Sequence, residues 1–268
     1  NWDSNINNDK EGITDGVCPQ ELDFRDAKAV CDELCIPLYR VDFIKEYWDD
    51  VFKYFLSELE KGRTPNPDIM CNKYIKFDLF KKEAKKLGAD KIATGHYARR
   101  EGNRLLRGVD NNKDQTYFLS QVSSEQLKDV LFPVGGLTKP EVRKIAEENN
   151  IPVAKKKDST GICFIGERHY QEFIANYLKG KKGDIIDVET GKKVGTHKGL
   201  MNYTIGQRRN VGLSGDEKRH YVCGKDSKNN ILYIAYGDDS KYLLSNEAII
   251  EDMNYISDKH PVFATAKF

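Results

Sequence analysis

Long apolar runs are missing from this sequence. Nothing in its 268 residues approaches the length of a membrane span, so no membrane partner is expected. Cysteine is scarce as well. Cys18, Cys31, Cys35, Cys71, Cys163 and Cys223 are too few for a disulfide scaffold, which favours a reducing compartment. The start, Asn1-Trp2-Asp3-Ser4, has neither the basic residues nor the apolar stretch of a signal peptide, and no Arg-rich transit pattern. A bacterial cytoplasm is the default expectation. Disorder is excluded by composition, with 39% hydrophobic and 32% charged residues. No internal repeat is visible. Zinc-type cysteine pairing is absent too: Cys31 and Cys35 share a face of an expected helix, but no second pair or nearby His completes a site.

What remains is a polar globular chain with an uneven charge distribution. Net charge is +1, but residues 1–60 carry 6 Lys/Arg against 15 Asp/Glu, leaving the remainder at +10. Residues 179–209 hold 8 basic and 3 acidic residues. Such asymmetry fits a polyanionic partner or a set of solvated lysine faces.

Periodicity predicts helices over 20–35 and 44–60, the second with Ile44, Tyr47, Trp48, Val51, Phe52, Phe55, Leu56 and Leu59 on one stripe. A short strand is expected over Pro37 to Val41. Gly62 stops the second helix, and two prolines make Thr64 to Asp68 a rigid loop. A further helix restarts near Cys71 and ends at Gly88. Lys91 to Thr94 reads as a buried strand, and residues 97–100 and 104–107 as a hairpin. Helices follow over 114–130, 138–150 and 167–179. After Lys179 the texture becomes β-rich, with strand pairs at 183–188 and 191–195 and at 221–224 and 231–236; Ala266 to Phe268 ends in another strand.

Two cysteines stand in polar, glycine-marked loops rather than apolar patterns. Cys71 closes Gly62-Arg63-Thr64-Pro65-Asn66-Pro67-Asp68-Ile69-Met70-Cys71. A helix beginning there would favour its thiolate, with Lys73 adding positive charge and Asp68 within reach as acid or base. A free surface cysteine beside a capping Asp is the plain alternative. Cys163 lies in Asp158-Ser159-Thr160-Gly161-Ile162-Cys163-Phe164-Ile165-Gly166, a loop able to expose sulfur or a packed site between two apolar neighbours. Gly95, ending a strand, permits close approach by a ligand, with His96 beside it. Lys113-Asp114-Gln115 opens a helix whose amides could hold phosphate, or Asp114 is simply its cap. Arg208 and Arg209 suit phosphate or stacked bases, or belong to a solvated turn.

Taken in order, five segments carry a resemblance. They are Gly62 to Asn72, Ala93-Thr94-Gly95-His96-Tyr97-Ala98, Asp114-Gln115-Thr116-Tyr117-Phe118-Leu119, Asp158 to Gly166, and Tyr203-Thr204-Ile205-Gly206-Gln207-Arg208-Arg209. The ordered set resembles the tRNA-specific 2-thiouridylase family of ATP-pyrophosphatase enzymes across essentially the whole chain. The resemblance implies an α/β, parallel-sheet ATP-pyrophosphatase domain (adenine nucleotide alpha hydrolase-like) over 1–178. It implies a small central tRNA-binding domain over 179–245 and the start of a C-terminal β-barrel over 246–268.

The implied reaction is 2-thiolation of the wobble uridine of tRNA. ATP, with Mg2+, adenylates the C2 oxygen, and a persulfide sulfur displaces AMP. Position by position, Cys163 matches the persulfide cysteine, Cys71 the partner cysteine able to form a disulfide with it, and Asp68 the acid/base. Asn66, Pro67 and Asp68 match target-base contacts, Gly95 an ATP contact, and His96, Lys113, Asp114 and Gln115 tRNA contacts. Arg208 and Arg209 join the tRNA-binding set. Implied partners are tRNAs with Lys, Glu and Gln type anticodons and a persulfide carrier or cysteine desulfurase. The family's Ser-Gly-Gly-x-Asp-Ser phosphate loop is not in this sequence, and an Arg-Tyr tRNA contact falls just past Phe268. The expectation is an N-terminally truncated chain whose activity belongs to the full-length protein. Rival readings are a 4-thiouridine synthase, an argininosuccinate synthase, which needs no sulfur relay, and a non-catalytic tRNA-binding fragment.

Overall fold

The computed structural model describes residues 19–158, 170–213, 219–256 and 263–266. The expectations for Cys163, for its loop from Ser159 onward, for the start of the 167–179 helix and for Lys267-Phe268 lie outside these. The chain divides into two units, Asn1–Phe52 with Pro67–Glu167 and Asp252–Phe268, and Lys53–Asn66 with Arg168–Glu251.

In the first unit, α1 (Pro19–Glu33) forms as expected, but none of its described side chains is buried. It ends through Cys35, whose φ of 54° places it in the left-handed position usually given to glycine. The amides of Cys35 and Ile36 bond the carbonyls of Asp32 and Cys31. Cys35 is therefore off the helix, and the shared Cys31/Cys35 face does not exist. The strand expected over Pro37 to Val41 is absent as well: the segment joins no ladder and exposes Leu38 and Tyr39. Apolar alternation makes a strand only where a neighbour takes its backbone groups.

The 44–60 stripe does fold as helix. In this unit it is α2 (Ile44–Tyr47) and a π-helical turn (Trp48–Phe52) that buries Val51 and Phe52 completely. The next helix begins earlier than the sequence suggested. Pro67 opens α4 (Pro67–Met70), because a first helical residue loses nothing by lacking an N–H. The chain continues as a π-helix (Cys71–Leu79) and then α5 (Phe80–Lys86). Gly88, at φ 89°, ends it.

Strand β1 (Ile92–Ala93) pairs in parallel with β4 (Val130–Leu131), so the unit is α/β. The helix expected over 114–130 is broken into three pieces: a 3-10 turn (Thr116–Leu119), α6 (Ser124–Leu127) and β4 itself. Ser123 restarts the helix through a capping box with Gln126, and Asp129, at φ 63°, stops it. Between the parallel strands, β2 (Ala98–Glu101) and β3 (Arg104–Arg107) form the expected hairpin, with Gly102 supplying a φ of 56°. Helix α7 (Lys139–Glu148) starts at Thr138, boxed with Glu141. Phe77, Ile92, Ala98, Leu119, Val122, Leu127 and Val130 make one core. Each large side chain there contributes roughly 1.5–3 kcal/mol by leaving water. Gly135 is obligatory beside this core, since a Cβ would overlap the Ala98 carbonyl.

In the second unit, α3 (Lys53–Glu60) ends at Gly62, whose φ is 76°. The amides of Gly62 and Arg63 return to the carbonyls of Leu59 and Glu58. Lys61 and Arg63 then clasp the buried Glu58 carboxylate at 2.7 and 2.8 Å, which holds that carboxyl below its ordinary range. Helix α8 (Tyr170–Ala175) precedes a four-stranded sheet of β5 (Gly183–Asp187), β6 (Lys193–His197), β7 (His220–Asp226) and β8 (Ile231–Tyr236). Its order is β6-β5-β8-β7, with β5 and β8 parallel and the other pairs antiparallel. The expected strand pairs are present; the parallel join between them is not local and left no mark in the sequence. His197 is fully buried, with Nε2 3.0 Å from the Asn230 carbonyl and Nδ1 accepting the Gly199 amide at 3.0 Å. Among the described residues of 246–268 no strand forms.

Candidate functional site

Cys71 lies in the fifth position of a continuous helical run from Pro67 and is buried, 8% exposed. The helix macrodipole acts within the first turn. The thiolate argument built on a helix starting at Cys71 is therefore overturned. Asp68, by contrast, stands in that first turn, where a carboxylate is favoured. Next to the cysteine, Asn72 is 1% exposed and donates its side-chain amide to the Phe118 carbonyl at 2.9 Å. At the following residue, Gln126 donates its side-chain amide to the Lys73 carbonyl at 2.5 Å. These two bonds hold the π-helical stretch from outside. Such stretches gather at functional sites.

Gly95 stands two residues past the end of β1, at the carboxyl end of the parallel pair, where open α/β sheets bind ligands. It is exposed, and a Cβ built on it meets nothing within 4 Å. The open space leaves the backbone approachable by a ligand. His96 is different. Its ring is 9% exposed and lies 5.5 Å from that of Phe77 and 6.2 Å from that of Phe132, with Nδ1 3.0 Å from Thr94 Oγ1. Burial, with Lys76 nearby, pushes its pKa down to about 4, so the ring is neutral at ordinary pH.

Lys113, Asp114 and Gln115 do not open a helix with free amides. They form a turn before the four-residue 3-10 segment, and each of the three side chains has a partner within the protein. Gln115 accepts the Tyr97 amide through Oε1 and donates its own amide to the Tyr97 carbonyl, both at 3.0 Å. Asp114 accepts the Gly108 amide at 3.0 Å and the Thr116 hydroxyl at 3.0 Å. Lys113 reaches Asp158 at 2.9 Å. The first unit thus brings together the helix bearing Pro67, Asp68 and Cys71, the Gly95-His96 turn and the 113–115 turn. Phe77 meets His96, Asn72 meets Phe118 and Gln115 meets Tyr97. Cys163 lies outside the described residues. The basic run before it is anchored, since Lys156 pairs with Asp23 and Asp26 of α1 at 3.0 and 2.5 Å.

Asn66 and the two arginines belong to the second unit. Arg208 and Arg209 are exposed on a loop fastened to β7 by the Gly206 amide to the Val222 carbonyl, 2.7 Å, and the Val222 amide to the Gln207 carbonyl, 2.9 Å. A cleft of about 370 Å³ in the same unit is lined by Leu59, Leu178, Lys179, Lys181, Leu200 and Lys228, among others. The sequence reading noted only the basic bias of its segment. It also missed Asn72 and Asp158. The one available signal for Asp158 was its place at the head of the Cys163 motif. Among the described residues no group of three or more His, Cys, Asp or Glu could hold a metal ion, and no helix is long and apolar enough to cross a membrane.

Comparison with known proteins divides the chain once, near residue 170. Residues 1–167 match a family model described as the tRNA methyl transferase HUP domain, and residues 171–236 one described as the tRNA methyl transferase PRC-barrel domain. The chain is 56% identical over 258 residues to a tRNA-specific 2-thiouridylase MnmA of Mycoplasmopsis synoviae, covering 95% of this chain and 69% of the relative. It is 55% identical over 268 residues to the protein of that name from Mycoplasma capricolum, covering 96% and 72%. A Staphylococcus carnosus protein of the same name is 53% identical over 263 residues, covering 96% and 69%.

Proposed function

The chain belongs to the tRNA-specific 2-thiouridylase family, and on that premise we propose that it performs ATP-dependent 2-thiolation of uridine at wobble position 34 of tRNA. The observation that carries the reading is the identity of 53–56% to proteins named for that activity, over nearly the whole chain. The matching family models are described by methyl transfer. Thiolation is favoured over it by the relatives' names.

In this reading the first unit is the ATP-using domain and the second contributes to holding tRNA. The uracil C2 oxygen is a poor leaving group. Transfer of AMP from ATP to that oxygen, with release of pyrophosphate, makes it a good one. Gly95 leaves room for the nucleotide, and Mg2+ would accompany its phosphates. The terminal sulfur of a persulfide on Cys163 bonds to C2, and AMP departs. Cys71 then attacks the Cys163 sulfur, releasing 2-thiouridine and leaving a Cys71–Cys163 disulfide that an external thiol reduces. The persulfide comes from a carrier protein or a cysteine desulfurase. Asp68 serves as acid or base beside the target uracil, which Asn66 and Pro67 help to hold. The base must leave the anticodon stack to reach them. Lys113, Asp114, Gln115, Arg208 and Arg209 contact tRNA. His96, kept neutral by burial, meets RNA through its ring edge rather than as a cation.

The test is nucleoside analysis of an unmodified tRNA transcript incubated with the purified protein, ATP and a persulfide donor. The expected result is 2-thiouridine formed by the wild type and none by Cys163→Ser, with tRNA binding retained in the variant. A normal 2-thiouridine level in Cys163→Ser refutes the assignment.

A further inference from the structure

Three cations converge on one carboxylate in the first unit. Lys113 Nζ lies 2.9 Å from Asp158 Oδ2, while Lys139 Nζ and Arg143 Nη2 lie 3.0 and 2.9 Å from Oδ1. The four side chains come from the 113–115 turn, both ends of the first turn of α7 and the head of the Cys163 motif. They are neither buried nor loose, at 41%, 29%, 34% and 35% exposed for Lys113, Lys139, Arg143 and Asp158.

The arrangement is poorly suited to stability alone. One carboxylate cannot neutralise three mutually repelling cations, and half-exposed ion pairs contribute little to folding. Asp110, whose charge is also felt by Lys113, accepts the backbone amides of Lys139 and Asn112. Lys113, Lys139 and Arg143 still outnumber Asp158 and Asp110 by one charge, three against two. Donors remain as well, because each lysine ammonium has three N–H groups and gives one to Asp158. The geometry is fixed from several sides. Arg143 also donates to the carbonyls of Ala154 and Lys156, at 3.2 and 3.1 Å. The Lys139 ammonium lies 5.9 Å over the ring of Tyr97, a residue whose backbone amide and carbonyl are both bonded to Gln115.

A preset, partly solvated group of donors with surplus positive charge is what a phosphodiester oxygen requires. We propose that Lys113, Lys139 and Arg143, organised by Asp158, form a site for a backbone phosphate of the tRNA. Lys139 and Arg143 are thereby added to the RNA-binding surface, and Asp158 acts as a positioning residue. The inference rests on the tRNA reading above.

The experiment measures binding of an unmodified tRNA transcript to the purified protein across a salt series. Lys139→Met is expected to weaken binding severalfold and to lower the slope of log affinity against log salt by about 1. Lys139→Arg should restore most of both. Asp158→Asn is expected to weaken binding although it adds positive charge. Thermal melting of each variant reports folding, and Lys113→Met, with the same expected slope change, stands in if Lys139→Met does not fold. The ATP concentration dependence of thiolation should be unchanged in Lys139→Met. An unaltered salt slope in both lysine variants, tighter binding by Asp158→Asn, or a defect confined to ATP overturns the phosphate site while leaving the thiolation reading intact. Failure of the wild type to bind tRNA overturns both.

Discussion

The side-chain amide of Asn72 bonds the carbonyl of Phe118 across 2.9 Å, joining the helix that bears Cys71 to the segment that follows Lys113, Asp114 and Gln115. The other side-chain atom, Asn72 Oδ1, is buried and finds no partner among the described residues. Half of the amide is used, and the other half is an unpaid desolvation. Asn72→Ala leaves the half-buried Phe118 carbonyl without this donor but also removes the unpartnered Oδ1, and is expected to cost about 1 kcal/mol, read from urea unfolding. An unchanged midpoint would show that the bond contributes nothing.

Cysteine reactivity should follow exposure. Cys35 is exposed, Cys71 is buried, and burial pushes the Cys223 thiol up. Labelling with a disulfide reagent at mildly alkaline pH, followed by peptide mapping, should find Cys35 modified well before Cys71 or Cys223. If Cys71 reacts as fast as Cys35 in the tRNA-free protein, the helix does not bury it in solution.

His96 makes stability depend on pH. Its folded pKa of about 4 lies below the ordinary value of 6.5, so between those values the unfolded chain binds the extra proton. Stability is fully present above pH 6.5 and falls as the pH drops toward 4. The loss from this one group is of order 3 kcal/mol, at 1.36 kcal/mol per unit. Unfolding free energies measured from pH 7 to 4.5 should fall more steeply for the wild type than for His96→Gln. Parallel curves would mean that the ring is solvated.

Gly62 ends α3 in the left-handed region, at φ 76°, and a Cβ there would stand 2.8 Å from Ser227 Oγ. Ser227 can rotate away, but the backbone conformation cannot be relieved. Gly62→Ala is expected to lose about 1–2 kcal/mol. A melting temperature equal to the wild type's would sink that account.

Local rules were legible where a few adjacent residues decide the outcome. The apolar stripe from Ile44, the stop at Gly62, the stop at Gly88, the capping box from Thr138 to Glu141 and the Gly102 hairpin all formed as read. Errors fell where the deciding partner is distant. The 114–130 segment has helical periodicity, yet Val130 and Leu131 are drawn into a strand by Ile92 and Ala93. Leu38 and Tyr39 look like strand residues but join no ladder. Pro67 could be read as a loop proline or as a first helical residue. The helical outcome moved Cys71 out of the first turn.

The same division holds for the site. Residue types and their order determined the chemistry: two glycine-marked cysteines, an acid three residues before one of them and five motifs in sequence. These follow from covalent structure and need no fold to be seen. Tertiary structure alone decided what the environment does to those groups. It buried Cys71, stripped water from His96 between Phe77 and Phe132, turned Asp114 and Gln115 inward, and gathered Lys113, Lys139 and Arg143 around Asp158. Burial and electrostatic convergence depend on which segments meet in space, and residues 45 apart, such as Lys113 and Asp158, carry no local signal of meeting.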